Sequence, residues 1–256
     1  MNNTKITKIE KKIKLLALIL AIISTISFAL SLINAQTEVF AQVRKIPVYK
    51  VDTQKSCISL TFDAAWGSDK TQGILDLLDK YQIKCTFFLV SFWIKANPEL
   101  VKEIDKRGHE IGTHSATHPD MTKLSKEKML EELTDSCNRI TELTGKKVRL
   151  FRPPFGAYNN TLISVAESLN LITIQWDCDS LDWKGSSALE IATRAQRASK
   201  GSIILCHNNS DNIIKAIPLI VEVARNKGLK IIPVGELIYQ HYYVDSQGVQ
   251  HEKPNY

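Results

Sequence analysis

The chain lacks any CxxC pair: its five cysteines, Cys57, Cys85, Cys137, Cys178 and Cys206, stand far apart. An odd, widely spaced set embedded in apolar runs argues against a disulfide framework and reads as buried free thiols. Low-complexity blocks are also missing, as are repeats with a period of roughly 20–50 residues, which excludes solenoids and propellers. Excess positive charge is concentrated in the first stretch of chain. The net charge is +6, but residues 1–14 hold Lys5, Lys8, Lys11, Lys12 and Lys14 against Glu10, a net +4 that leaves +2 for the rest. Nucleic-acid binding thereby loses its electrostatic argument, and no nucleic-acid partner is expected.

What is present first is an apolar run. Residues 15–33 are 19 positions of mostly Leu, Ile, Ala, Ser and Phe without a charge, long for a signal-peptide core and just enough to cross a bilayer. With the Lys cluster ahead of it, the run matches the positive-inside pattern. Residues 1–35 are therefore read as either a membrane anchor or a cleaved signal peptide; both export the remainder. Ala35 and Ala41 are small enough for a cleavage site, although Ile33 and Val39 fit the matching upstream positions poorly.

Residues 36–55 are polar and mixed, with Pro47 and no strong period, and read as a linker. From Cys57 onward, short β-branched or aromatic runs alternate with stretches of helical period. Strands are predicted at 57–62, 85–90, 110–112, 149–151, 171–175, 202–206 and 230–232. Helices are predicted at 69–81, 97–107, 125–144, 159–169, 187–199, 211–227 and 234–241. Seven βα units over 56–243 predict a parallel α/β sheet, either open and doubly wound or closed into a barrel. Residues 244–256 read as a frayed tail.

In such folds the working residues stand at the C-terminal ends of strands. Asp63 directly follows the first strand, and its alternative role, capping the next helix, falls more naturally to Ser68 or Asp69. His114-Ser-Ala-Thr-His118 places two imidazoles four apart, a spacing that lets both face one divalent cation such as Zn²⁺, Co²⁺ or Ni²⁺. Phe151-Arg-Pro-Pro-Phe-Gly156 fixes the backbone around Arg152, which can clamp a carboxylate, while the amide of Phe155 can donate to an oxyanion. Trp176-Asp-Cys-Asp-Ser-Leu-Asp-Trp183 offers carboxylates to orient a histidine and indoles to stack on sugars. Ser202-Ile-Ile-Leu-Cys-His207 ends a buried strand on a histidine suited to general acid work.

In order, Thr61-Phe-Asp63, His114-Ser-Ala-Thr-His-Pro119, Arg152-Pro-Pro-Phe-Gly156, Asp179-Ser-Leu-Asp-Trp183 and Leu205-Cys-His207 resemble the five motifs of the NodB-like polysaccharide deacetylases, carbohydrate esterase family 4. Thr61-Phe-Asp-Ala-Ala-Trp-Gly67 resembles the sporulation-associated and peptidoglycan-directed bacterial members most. The resemblance implies a distorted (β/α)7-type barrel, a divalent metal, Zn²⁺ first with Co²⁺ or Ni²⁺ as alternatives, and a metal-dependent N-deacetylase of cell-wall glycan. It implies Asp63 as general base, His114 and His118 as metal ligands, and Arg152 as the group holding Asp63 ionised. The Phe155 amide would complete the oxyanion hole, Asp182 would orient the general acid His207, and Leu205 with Trp183 would line the acetyl slot. The enzyme would act outside the cell as a monomer, held to the membrane by its first segment unless that is cut.

One position departs from the family pattern. The aspartate that usually follows the first, and supplies a third metal ligand, is Ala64 here. Either another carboxylate, Asp69 or Asp120, reaches in, or the site is weakened, or the chain is a tethered glycan-binding or sporulation protein without turnover.

Overall fold

The computed structural model describes residues 3–40 and 44–254, in two compact units, Met1–Arg44 and Lys45–Tyr256. The first is a helix, α1 (Asn3–Phe40). Its segment Ile9–Leu32, with a hydropathy of 2.5, is long and apolar enough to cross a membrane. The hydroxyls of Thr25 and Ser31 donate to the carbonyls of Ile22 and Phe28, so neither adds an unsatisfied polar group to the apolar surface.

The second unit begins with β1 (Lys50–Val51) and β2 (Cys57–Ala64), followed by α2 (Thr71–Tyr81), β3 (Thr86–Leu89), α3 (Ser91–Ala96) and α4 (Pro98–Lys106). Then come β4 (Glu110–Thr113), α5 (Lys126–Thr144), β5 (Leu150–Phe151), α6 (Asn160–Ser168), β6 (Ile172–Thr173) and β7 (Cys178–Asp179). The chain closes with α7 (Ala188–Ala195), β8 (Ile203–His207), α8 (Ile213–Asn226), β9 (Lys230–Ile231), α9 (Val234–Leu237), β10 (Tyr242–Val244) and β11 (Val249–Glu252). Local signals explain the helix starts: Ser125 and Asn159 accept backbone N–H groups as N-caps, and Ser187 with Glu190 forms a capping box.

Parallel strands run in the order β6-β5-β4-β3-β2-β8-β7, with β9 alongside the start of β2. Every residue of β2 is buried, as a central parallel strand covered on both faces requires. Phe62 and Phe87 stack at 5.1 Å between neighbouring strands. Leu60, Leu75, Ile104, Ile204 and Ile217 fill the layer between sheet and helices, and Met121, Leu133, Phe151 and Leu162 form a second apolar cluster. This curled half-barrel agrees with the predicted class.

Its elements depart from expectation in instructive places. β2 continues through Asp63 to Ala64 and β8 through His207, and the ladder sets Asp63 directly beside His207. Neither Ser68 nor Asp69 caps α2 through its side chain; the Ser68 carbonyl accepts from Thr71 N instead. The expected linker ends early. Val48 and Val51 are buried at 1% and 0% exposure, and this segment bonds to both sides of the gap that β6 and β7 leave. Val48 N donates to Thr173 O (3.0 Å) and Val48 O accepts from Gln175 N (2.7 Å), while Val51 N donates to Gly201 O (3.0 Å). The edge groups there need partners, which a polar composition did not reveal. The expected frayed tail is ordered too: β10 and β11 pair antiparallel, β11 lies parallel to β1, and Gln250 is fully buried. All five cysteines are free, four of them buried.

Candidate active site

The strand ends deliver the motif residues to one mouth. Asp63, His114, His118, Phe155, Trp183, Leu205 and His207 line a single cleft of about 560 Å³ with Trp66, Trp176, Asp179 and Asn209. Arg152 and Asp182 stand behind it, 0% and 1% exposed.

Arg152 donates from Nη1 to Asp63 Oδ1 (2.8 Å) and to Thr61 Oγ1 (2.7 Å), and from Nη2 to the Gln175 carbonyl (3.1 Å). Its guanidinium also lies over the Phe88 ring at 4.2 Å. Burial opposes charge on Asp63, but Arg152, then His114 and His207, outweigh it, so the carboxyl is held below its ordinary range. Because Oδ1 is occupied, Oδ2 is the oxygen left to take a proton; it lies 3.6 Å from His114 Nε2.

His207 is shifted in the opposite direction. Its Nδ1 donates to Asp182 Oδ1 (2.8 Å), and its backbone N donates to Asp182 Oδ2 (2.8 Å). Burial works against the imidazolium, yet the Asp182 carboxylate, helped by Asp63 and Asp179, raises the pKa above the ordinary histidine value. Nε2 is the ring nitrogen left for the cleft.

The His114–His118 loop is tightly built. His114 Nδ1 faces the Arg152 carbonyl at 2.7 Å and must donate to it, which fixes the tautomer and leaves Nε2 as the lone pair. Ser115 and His118 both adopt left-handed backbone, φ 74° and 59°. Ser115 Oγ accepts from His118 N (3.0 Å). Glu132 of α5 holds the loop from outside, accepting from Ala116 N and Thr117 N at 2.8 Å and from Thr117 Oγ1 at 2.7 Å. Burial lowers the pKa of both histidines, that of His118 to about 4, so both are neutral donors near neutral pH.

Two of the side chains expected to face a divalent metal, His114 and His118, line the cleft together. His118 Nδ1 is buried without a partner, and the His114 lone pair faces the cleft, as ligands would. The carboxylate is missing: Ala64 is wholly buried in the apolar core. Asp69 is paired with Lys70, while Asp120 caps Thr122 and pairs with Lys123, so neither supplies a replacement. Among the described residues no group of three or more His, Cys, Asp or Glu side chains is placed to hold a metal. Two nitrogens fall short of the three protein ligands of a catalytic zinc site.

Sequence reasoning found the cleft residues but missed Glu132 and Gln175, and gave Thr61, though part of the first motif, no role of its own. Only folding shows that these support Arg152 and the histidine loop. It also named Asp177 beside the other acids, whereas that carboxylate faces away, accepting from Ser202 Oγ and Ile203 N.

The polysaccharide deacetylase family model matches residues 50–174. The peptidoglycan-N-acetylglucosamine deacetylase of Bacillus cereus is 31% identical over 200 residues, covering 75% of this chain and 93% of that protein. An uncharacterized Bacillus subtilis protein is 33% identical, covering 75% of this chain and 60% of its own length. The chain likewise spans only 43% of the Listeria monocytogenes peptidoglycan-N-acetylglucosamine deacetylase it matches. Among solved structures, a CE4 family pseudoenzyme from Bacillus anthracis superposes with a TM-score of 0.73 at 31% identity, over 81% of this chain and 73% of that one. The chain belongs to the polysaccharide deacetylase family, carbohydrate esterase family 4.

Proposed function

We propose that this chain is a cell-wall N-deacetylase that hydrolyses acetamido groups on peptidoglycan amino sugars, outside the membrane that its N-terminal helix anchors it to or carries it across. The observation that carries the reading is the opposed pairing of two neighbours on adjacent strands: Arg152 bonds to Asp63 and holds its pKa below the ordinary value, and Asp182 bonds to His207 and raises its pKa above the ordinary value. Environments that push two pKa values apart assign a base and an acid. Asp63 Oδ2 takes a proton from water as the water oxygen bonds to the amide carbon. His207 Nε2 then gives its proton to the nitrogen as the C–N bond breaks, releasing acetate and the free amine. The Phe155 amide serves the oxyanion, and Leu205 with Trp183 receives the methyl. His114 and His118 are the residues proposed to hold a divalent metal, Zn²⁺ before Co²⁺ or Ni²⁺, weakly because Ala64 replaces the third ligand. The relative named as a Bacillus cereus peptidoglycan-N-acetylglucosamine deacetylase supports the substrate class.

A second reading has its own observation. Ala64 leaves the ligand set short, and the Bacillus anthracis neighbour is described as a pseudoenzyme; a glycan-binding protein without turnover accounts for both. Acetate release from peptidoglycan and chitooligosaccharides, with and without Zn²⁺ or Co²⁺, separates the two. Release that disappears in His207→Ala supports the hydrolase. Sugar binding with no acetate under any condition overturns it in favour of the binder.

A further inference from the structure

His251 of β11 takes no part in the cleft, yet both of its ring nitrogens are engaged. Nδ1 stands 3.1 Å from Asp52 Oδ2, and Nε2 stands 3.0 Å from Asp245 Oδ2. A neutral imidazole has one N–H, so it can bond one of these oxygens and must turn a lone pair on the other; only the imidazolium donates to both. The carboxylates do not supply the second proton. Asp245 Oδ1 already accepts from Gln247 N (2.8 Å) and Val249 N (2.9 Å), bonds that favour the ionised form. The Asp52 side chain, 62% exposed, keeps its charge in water. Tyr243, opposite His251 in the β10–β11 ladder, stacks on the imidazole at 5.0 Å. Among the described residues, Asp52 and Asp245 are the only charged groups in ion-pair contact with the ring, and neither has a second cationic partner. Lys50 of the neighbouring β1 is turned instead to Ser199 and Asp177.

The three residues come from separate pieces of chain: Asp52 directly follows β1, Asp245 opens the turn between β10 and β11, and His251 lies within β11. We propose that His251, gripped between Asp52 and Asp245, is an acid-tightened latch that ties the β10–β11 hairpin to the segment after β1 when doubly protonated and lets go of one carboxylate when it loses a proton. The backbone bond from Asp52 N to Gln250 O (2.9 Å) gives the latch a seam to tighten. The direction of the pH response follows from the pairing. The bond to Asp245 outweighs a smaller opposing effect of burial and, with the bond to Asp52, holds the imidazole pKa above the ordinary histidine value. A group shifted that way adds stability that is present in full below the unfolded pKa of about 6.5 and is lost as pH rises through the folded one. Solvent and salt screen the contacts, because the carboxylates are 62% and 34% exposed. The latch therefore governs local opening of this seam rather than global unfolding.

The test uses the full-length chain in detergent and two readouts. In an NMR titration of the histidine rings, with His251 assigned through its contact with the Tyr243 ring, the His251 pKa is expected above about 6.5, and about 1 M NaCl should draw it back toward that value. Hydrogen exchange read by mass spectrometry, corrected for the intrinsic rate, then follows peptides covering 48–52 and 242–252. In the wild type their protection should fall about fivefold between about pH 6 and about pH 9, the upper scale of an exposed ion pair; in His251→Gln it should stay level. A His251 pKa at or below about 6.5 overturns the latch without any substituted protein. The same pH dependence of protection in wild type and His251→Gln overturns it as well.

Discussion

Replacing Arg152 with Met removes the only guanidinium within hydrogen-bonding reach of Asp63 among the described residues, at a site where the two side chains are 0% and 6% exposed. Removing one partner of a buried pair costs about 3–5 kcal/mol, because the remaining charge is stranded. Asp63 has an escape, namely protonation, and this makes the pH dependence diagnostic. In the wild type its folded pKa lies below the ordinary carboxylate value. That group therefore adds stability that is present above the unfolded pKa and lost as pH falls through the folded one. Without Arg152, burial is the leading influence and raises the folded pKa. The same group then favours folding at low pH and loses that contribution as pH rises toward the raised value, so the slope changes sign. All four tryptophans, Trp66, Trp93, Trp176 and Trp183, lie in the barrel unit. Their fluorescence during urea unfolding of the full chain, in detergent and EDTA, follows that unit alone. Arg152→Met should lose about 3–5 kcal/mol at pH 7 and recover part of it at pH 5, and adding Asp63→Asn should restore much of the difference. A loss under about 1 kcal/mol, the range of an exposed pair, or an unchanged pH slope, would refute the reasoning.

Other predictions concern the histidines and the missing ligand. Asp182→Asn removes the group that raises the His207 pKa, so the descending limb of the acetate-release pH profile should move to lower pH; an unmoved limb would show that another group is the acid. Ala64→Asp should tighten Zn²⁺ or Co²⁺ binding by at least roughly 100-fold, since even outer-shell changes alter affinity by 10–100-fold. Isothermal titration that finds equal affinity in a folded variant would rule residue 64 out as a ligand position. Glu132→Ala leaves two backbone amides of the histidine loop without their acceptor and should cost about 1–3 kcal/mol; Glu132→Gln should recover part of this in the same unfolding assay. Burial keeps His118 neutral down to about pH 4. Metal affinity should therefore hold nearly constant from pH 8 to 6, and a tenfold fall over that interval would contradict the assignment.

Much of the fold was legible because parallel strands buried on both faces are written as apolar runs. The β2 run was visible as such, and the rule that loops at strand C-termini carry chemistry picked out Asp63, His114, Arg152 and His207. Short strands were harder. β7 is two residues, and its place beside β8 is fixed by pairing with Ile204 and Leu205 rather than by any period of its own. Supporting groups were invisible for a similar reason: Glu132 sits mid-helix among other acids, and nothing in its neighbourhood announces that it holds a loop 15 and 16 residues earlier. The polar stretches at either end misled because their partners are each other. Lys50 and Val51 pair with Val249 and Gln250, a match across nearly the whole barrel unit that local composition does not encode.

The segment around Val48 serves as a missing stave. A fragment cut at residue 56, where the recognisable motifs begin, would keep every side chain of the cleft and still lack what bridges Thr173 and Gln175 on one side to Gly201 on the other. Gln175 also presents its carbonyl to Arg152. Slack at that joint would reach the acid–base pair through one residue, so the shortest stretch that spells the motifs is shorter than the shortest one that keeps them aligned.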